Sequence, residues 1–137
     1  MRAIQKIIIH CAATIEGKFY NAKDIDKWHL QKGWSGIGYH YVILIDGTIE
    51  KGRAIERIGA HTKGHNSTSI GICYIGGLGV DRKAKDTRTD KQIASMLGLL
   101  DKLKNDYPGA TIHGHNEFAN KACPSFNVSE WIKTTEL

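Results

Sequence analysis

The chain alternates between short apolar runs and longer stretches in which apolar residues recur at helical spacing. Two of the short runs, residues 4–11 and 69–75, are rich in β-branched side chains and shorter than typical helices, so they predict buried strands. A third run, 39–45, is followed by Asp46-Gly47 and then by 48–51. Because Asp-Gly between two β-prone segments favours a tight turn, this pattern predicts a hairpin.

An amphipathic helix is predicted over residues 22–31. Asn21 precedes it and is a favourable N-cap residue. His29 lies on this helix and is predicted to be an ordinary surface or half-buried histidine rather than a metal ligand. The apolar positions of the helix are expected to face the core: Ile25, Trp28 and Leu30.

The longest predicted helix starts after a capping box formed by Thr89 and Gln92. Residues 110–113 can form a last short strand, and Asn127 can cap a terminal helix. The apolar positions of the long helix recur with helical spacing: Ile93, Met96, Leu97, Leu100, Leu103 and Tyr107.

Strands separated by amphipathic helices, with one hairpin, predict an α/β fold with a central mixed β-sheet flanked by α-helices. The length of 137 residues is that of one ordinary domain, so we expect a single domain over residues 1–137. The polar, turn-rich segment 59–69 is predicted to be a loop over the sheet.

Composition narrows the possible classes of protein. Lys and Arg number 19 against 14 Asp and Glu, a net charge of +5, which favours contact with anionic polymers. The chain lacks both zinc-finger spacing and an aromatic nucleic-acid-binding strand, so we expect no nucleic-acid partner. No run reaches the roughly 18 apolar residues of a membrane helix, and we expect no membrane insertion. Three cysteines do not make a disulfide scaffold.

The candidate chemistry lies near the end of the chain. His115 and Cys123 are separated by seven residues in a turn-prone segment, and an imidazole and a thiolate at this spacing can share one zinc ion. A third ligand is needed, and His10 at the end of the first apolar run is the best candidate. Three protein ligands leave one position open for water, which is the catalytic pattern. A solvated loop histidine and a small buried cysteine fit the same spacing.

Three neighbouring residues have competing interpretations. His113 would share a strand face with His115 and could also ligate a metal. Glu117 could act as a base, although a supporting or solvent-exposed position is favoured. Cys11 follows His10 directly, and alternation along a strand turns it to the opposite face, into the core.

Several sequence blocks together resemble a known family: 8–14, 33–34, 37–41, 46–48, 52–53, 59–61, 66–72 and 121–124. They occur in the same order as in the zinc-dependent N-acetylmuramoyl-L-alanine amidases, or type 2 amidases. That family includes the T-seven phage lysozyme and the peptidoglycan recognition proteins. The resemblance extends from about Ile7 to Trp131 and covers nearly the whole chain.

The resemblance implies a set of site residues. His10, His115 and Cys123 match the family's zinc ligands, in agreement with the set chosen from chemistry. Tyr39 and Lys121 resemble its catalytic tyrosine and lysine, and both would donate hydrogen bonds to the oxyanion that forms during attack. Three further residues match positions along the substrate cleft: Trp34, His61 and Asn66.

The resemblance also implies an activity and a setting. The family reaction is hydrolysis of the amide between N-acetylmuramic acid and L-alanine in bacterial peptidoglycan. We expect a monomeric phage or prophage endolysin without a signal peptide, held in the host cytoplasm until it is released to the cell wall. The alternative is a recognition domain that binds muropeptides without cleaving them. Such domains lack the metal cysteine, so the presence of Cys123 favours the enzyme.

Overall fold

The computed structural model describes residues 2–137. The described chain forms seven strands and three α-helices, and two 3₁₀ turns cover Asn66–Thr68 and His115–Glu117. The bounds of the strands and helices in chain order are β1 (Lys6–Cys11), β2 (Thr14–Ile15), α1 (Ala22–Gln31), β3 (Tyr41–Ile43), β4 (Ile49–Lys51), β5 (Ser69–Tyr74), β6 (Gly77–Leu78), α2 (Asp90–Asp106), β7 (Thr111–Gly114) and α3 (Val128–Ile132).

The main sheet has five strands in the order β4-β3-β5-β1-β7. β1 runs parallel to both β5 and β7, β3 runs parallel to β5, and β4 is antiparallel to β3. The predicted mixed sheet and its hairpin are therefore confirmed. Parallel strands end at the same edge of a sheet, so the last residues of β1 lie beside the residues that follow β7. β2 and β6 form a separate two-stranded sheet that the sequence did not predict.

Both faces of the sheet are covered by helices. One core contains Ile7, Ile9 and Cys11 of β1 together with apolar residues of α2. The other packs Ile25 of α1 against Cys73 of β5 and its neighbours. Since side chains alternate along a strand, His10 projects to the face opposite Ile9 and Cys11.

The first two helices begin where capping predicts. Asn21 accepts a hydrogen bond from the backbone N–H of Asp24, and the Asp24 carboxylate accepts one from Asn21, which completes a capping box. Thr89 and Gln92 form the equivalent pair at the start of α2. The inward position predicted for Leu30 is wrong, because its side chain is 52% exposed. His29, one helical turn after Ile25, is buried where Leu30 was expected to be.

Candidate metal centre and substrate cleft

His10, His115 and Cys123 come together at the carboxyl edge of the sheet. Ile9 of β1 pairs with Gly114, the last residue of β7, so the next residue in each segment is a histidine: His10 on β1 and His115 at the start of the following 3₁₀ turn. Their ring centroids are 4.6 Å apart. His10 Nδ1 lies 3.8 Å from Cys123 Sγ, and one ligand atom from each of the three residues falls within 4.8 Å of the others.

The segment that carries Cys123 is fixed by contacts to the sheet. Cys123 Sγ accepts a hydrogen bond of 3.3 Å from the backbone N–H of Cys11. The Tyr74 hydroxyl donates to the carbonyl of Pro124 at 2.7 Å, and the Ser125 hydroxyl donates to the carbonyl of Gly77 at 2.9 Å. These bonds hold the cysteine against the end of β1.

The donor set fits a zinc ion. Burial lowers the pKa of His10 well below its ordinary value and also lowers the pKa of His115, so both imidazoles are neutral near pH 7, as metal ligation requires. A hydrogen bond with the side chain of Cys11, together with burial, raises the pKa of the Cys123 thiol and outweighs the backbone N–H of Cys11, which lowers it. This sulfur therefore keeps its proton until a bound cation displaces it. Two imidazole nitrogens and a thiolate are donors that zinc prefers.

An open cleft of about 700 Å³ lies beside these residues. Among its walls are five of the residues that the sequence singled out: Trp34, His61, Asn66, His115 and Lys121. Lys121 is exposed, and its positive charge adds to burial in lowering the pKa of His115. The predicted cleft residues are therefore grouped around one concave surface.

Tyr39 lies next to the candidate metal ligand His10, on the α1 side of the sheet. Its ring centroid is 5.1 Å from that of His10 and 5.5 Å from that of His29. Burial raises the pKa of Tyr39, so its hydroxyl remains a protonated hydrogen-bond donor at neutral pH. Tyr39 also lines a second pocket of about 120 Å³ with His29 and Lys32.

His29 supports this aromatic group. Its Nδ1 accepts a hydrogen bond of 2.9 Å from the backbone N–H of Gly38, the residue before Tyr39. Its ring also packs on Trp34, with centroids 4.5 Å apart. His29 is buried and does not lie at the surface. This burial lowers its pKa to about 4.

The competing residues have other partners. His113 Nδ1 lies 2.8 Å from a carboxylate oxygen of Glu117, and the other oxygen accepts the backbone N–H of Gly114 at 2.7 Å. Glu117 therefore stabilises the turn that presents His115. Within residues 2–137, the group of His, Cys, Asp and Glu side chains arranged to hold a metal is His10, His115 and Cys123, without His113.

Sequence reasoning missed two contacts that shape the site. His10 Nε2 lies 2.9 Å from His61 Nδ1, so a residue predicted to line the cleft also contacts a predicted ligand. Cys11 has the buried side chain that was predicted, yet its backbone N–H points at Cys123 Sγ. The histidine at position 61 was visible in the sequence, but its pairing with His10 depends on how the 59–69 loop folds back.

A mixed sheet with two histidines and a cysteine at its carboxyl edge, beside an open cleft, is typical of a metal-dependent hydrolase. Residues 1–126 match the N-acetylmuramoyl-L-alanine amidase family. The chain belongs to this family and is an amidase of its class, which confirms the resemblance found in the sequence.

Known relatives agree with this assignment. The chain is 40% identical to the endolysin of Enterobacteria phage K11 over 132 residues, covering 96% of this chain and 87% of the relative. It is also 40% identical to the endolysin of Escherichia phage T7 over 131 residues, with the same shares covered. The structure of the N-acetylmuramoyl-L-alanine amidase LysC from Clostridium intestinale superposes with a TM-score of 0.83 and 31% identity, covering 97% of this chain and 85% of that one.

Proposed function

We propose that this chain is a zinc-dependent amidase that hydrolyses the amide between N-acetylmuramic acid and the L-alanine of peptidoglycan. The observation that carries the proposal is the convergence of His10, His115 and Cys123, with ligand atoms within 4.8 Å of one another, beside an open cleft that His115 lines. Family membership supports the choice of bond.

His10, His115 and Cys123 would hold the metal. Bound zinc supplies Lewis-acid chemistry, which activates water and polarises a carbonyl group near neutral pH. The chain itself orients the three donors. The strand register places the two histidines, and the backbone N–H of Cys11 directs the sulfur of Cys123. A donor group fixed before the reaction begins needs little reorganisation during it.

Tyr39 and Lys121 are the proposed catalytic residues. As water attacks the amide carbon, negative charge grows on the carbonyl oxygen, and a phenol and an ammonium group can both donate hydrogen bonds to it. Burial keeps the Tyr39 phenol protonated, and Lys121 lines the cleft. Since Glu117 binds the Gly114 N–H and contacts His113, Tyr39 and Lys121 are better candidates for proton transfer to the leaving amine.

Trp34, His61 and Asn66 are proposed to contact the substrate along the cleft. Trp34 is 39% exposed and offers an aromatic surface on which an apolar face of the substrate can pack. Asn66 Oδ1 already accepts the backbone N–H groups of His61 and Thr62, which leaves its Nδ2 for the substrate.

The biological setting that we propose is lysis of a bacterial host by a phage or prophage, with release of the enzyme from the host cytoplasm to the wall. The endolysins of phages K11 and T7 among its relatives support this setting. We propose one catalytic domain that works as a monomer. None of the helices over residues 2–137 combines the length and apolarity needed to cross a bilayer.

Mass spectrometry of digested, purified peptidoglycan tests the proposed bond. Amidase activity releases free stem peptides that begin with L-alanine and leaves the glycan strands intact. Shortened peptides or cleaved glycans would show that another bond is cut. Binding to the wall without any released product would instead indicate a recognition domain.

A further inference from the structure

The contact between His10 and His61 is a direct hydrogen bond between two imidazoles. His10 Nε2 and His61 Nδ1 are 2.9 Å apart, and His10 is only 1% exposed. Two ring nitrogens at this distance share one proton, so one ring donates and the other accepts. The identity of the donating ring is therefore a defined property of the site.

The proposed metal site fixes that direction. His10 Nδ1 faces Cys123 Sγ at 3.8 Å, so this nitrogen must offer its lone pair to a metal. The proton of a neutral His10 ring then lies on Nε2, and His61 Nδ1 has to accept it. In turn, the proton of His61 lies on its own Nε2, 3.4 Å from the hydroxyl oxygen of Ser69.

The backbone is shaped around the His61 ring. A Cβ added at Gly71 would lie 2.7 Å from His61 Cδ2, and a Cβ added at Gly59 would lie 2.7 Å from the same atom. Both distances are shorter than real Cβ contacts allow. The two glycines therefore leave space that the imidazole fills, and the ring has little freedom to turn away from His10.

The loop that carries His61 is also fixed. Asn66 Oδ1 accepts the backbone N–H groups of His61 and Thr62 at 2.9 and 2.8 Å. The Arg2 guanidinium donates to the carbonyls of Asn66 and Ser69 at 3.3 and 3.0 Å, and so ties the loop to the start of the chain. These bonds hold the backbone that carries the His61 side chain in one position.

We propose that His61 is a positioning residue, which holds His10 in the tautomer and orientation that present Nδ1 to the metal. This inference rests on the proposed function and gives His61 a role in metal binding beyond its place on the cleft wall. Partners that orient a ligating histidine typically change metal affinity by about 10- to 100-fold when they are removed.

Two variants at position 61 separate the effect of losing the hydrogen bond from the effect of altered packing. His61→Asn places a carbonyl oxygen close to the position of Nδ1 and can still accept from His10. The leucine of His61→Leu has a volume similar to that of histidine but offers no hydrogen-bond acceptor. We expect His61→Leu to bind zinc about 10- to 100-fold more weakly than the unaltered chain in a chelator competition, and His61→Asn to stay within about threefold. Equal zinc affinity in His61→Leu and the unaltered chain would overturn the proposal.

Thr62 provides a second control, because its hydroxyl oxygen lies 3.3 Å from His10 Nε2. Thr62→Val should leave zinc affinity within about threefold, since the nitrogen of His61 is the nearer acceptor. If Thr62→Val weakens zinc binding and His61→Leu does not, the hydroxyl is the partner of His10 and the proposal is wrong.

A further test uses the unaltered chain, so its result does not depend on whether a variant folds. Long-range ¹⁵N–¹H correlation spectra of the zinc-loaded protein should show His10 protonated on Nε2 and His61 protonated on Nε2. A proton on His61 Nδ1 would contradict the inference. If the unaltered chain takes up no zinc, the proposed function itself fails; if it takes up zinc and cleaves wall but His61→Leu binds equally well, only the role of His61 fails.

Discussion

The backbone N–H of Cys11 donates a hydrogen bond to Cys123 Sγ across 112 positions of the sequence. This bond joins the strand that carries His10 to the segment that carries the third proposed ligand. Backbone N–H groups that point at a sulfur favour its thiolate form. The fold therefore supplies both the position of the sulfur and part of the stabilisation that it needs when a metal binds.

Replacing Cys123 by serine should remove zinc binding and activity while the fold persists. A hydroxyl is a poorer zinc ligand than a thiolate, so the loss of affinity should exceed the roughly 10- to 100-fold expected for a supporting residue. The Tyr74 bond to Pro124 and the Ser125 bond to Gly77 remain and keep the segment in place. Zinc content per chain and circular dichroism measure the two effects. An active Cys123→Ser enzyme with a full complement of zinc would exclude the cysteine as a ligand.

Tyr39→Phe should retain zinc and lose turnover. The substitution removes only the hydroxyl, and loss of one oxyanion donor typically lowers kcat by about 100- to 1000-fold. Tyr20→Phe is a matched control, because Tyr20 packs on Trp28 with ring centroids 5.1 Å apart. We expect the control to keep its turnover. Turbidity clearing of wall preparations, with zinc content measured in parallel, compares the two variants, and equal rates would remove Tyr39 from the mechanism.

Lys121→Ala should lower kcat by about 100-fold or more and leave zinc bound, since an ammonium donor is lost from the cleft. The same substitution also removes one positive charge that could attract an anionic wall. Lys102→Ala removes an equal charge from α2, where Lys102 pairs with Asp106. Activity on a small soluble muropeptide distinguishes a catalytic loss from weaker wall binding. If both variants lose activity equally, Lys121 acts through net charge alone.

Gly71→Ala should destabilise the fold, because the new Cβ would lie 2.7 Å from the His61 ring. Forcing an atom into a filled site typically costs about 1–3 kcal/mol in the free energy of unfolding. Gly98 lies within α2, and a Cβ there meets nothing within 4 Å. Gly98→Ala should therefore stabilise the chain by up to about 1 kcal/mol through helix propensity. Urea unfolding of both variants measures the difference, and equal stability would mean that the space around His61 is not tight.

Local signals were sufficient to predict most of the elements. The Asn21 and Thr89 caps predict the starts of α1 and α2, because each pairs a short polar side chain with an acceptor three residues later. Asp46-Gly47 predicts the β3–β4 hairpin, and Gly47 has the positive φ of 89° that its turn needs. Each of these features depends on residues close together in sequence.

Features that depend on distant residues were less predictable. The pairing of β2 with β6 involves two-residue strands without a hydrophobic pattern of their own. Leu30 turned outward and His29 inward, because the position one turn after Ile25 meets the backbone of Gly38. The three candidate ligands that the structure brings together could be chosen from their chemistry, but the His10–His61 contact depends on how the loop folds over the sheet.

X-ray absorption at the zinc edge of the purified, active chain tests the central claim most directly. Two histidines and one cysteine predict two protein nitrogens at about 2.0–2.1 Å and one sulfur at about 2.3 Å, with an open position taken by a light atom. The sulfur signal should vanish in Cys123→Ser. A spectrum without sulfur in the unaltered chain, or active protein free of zinc, would contradict the account.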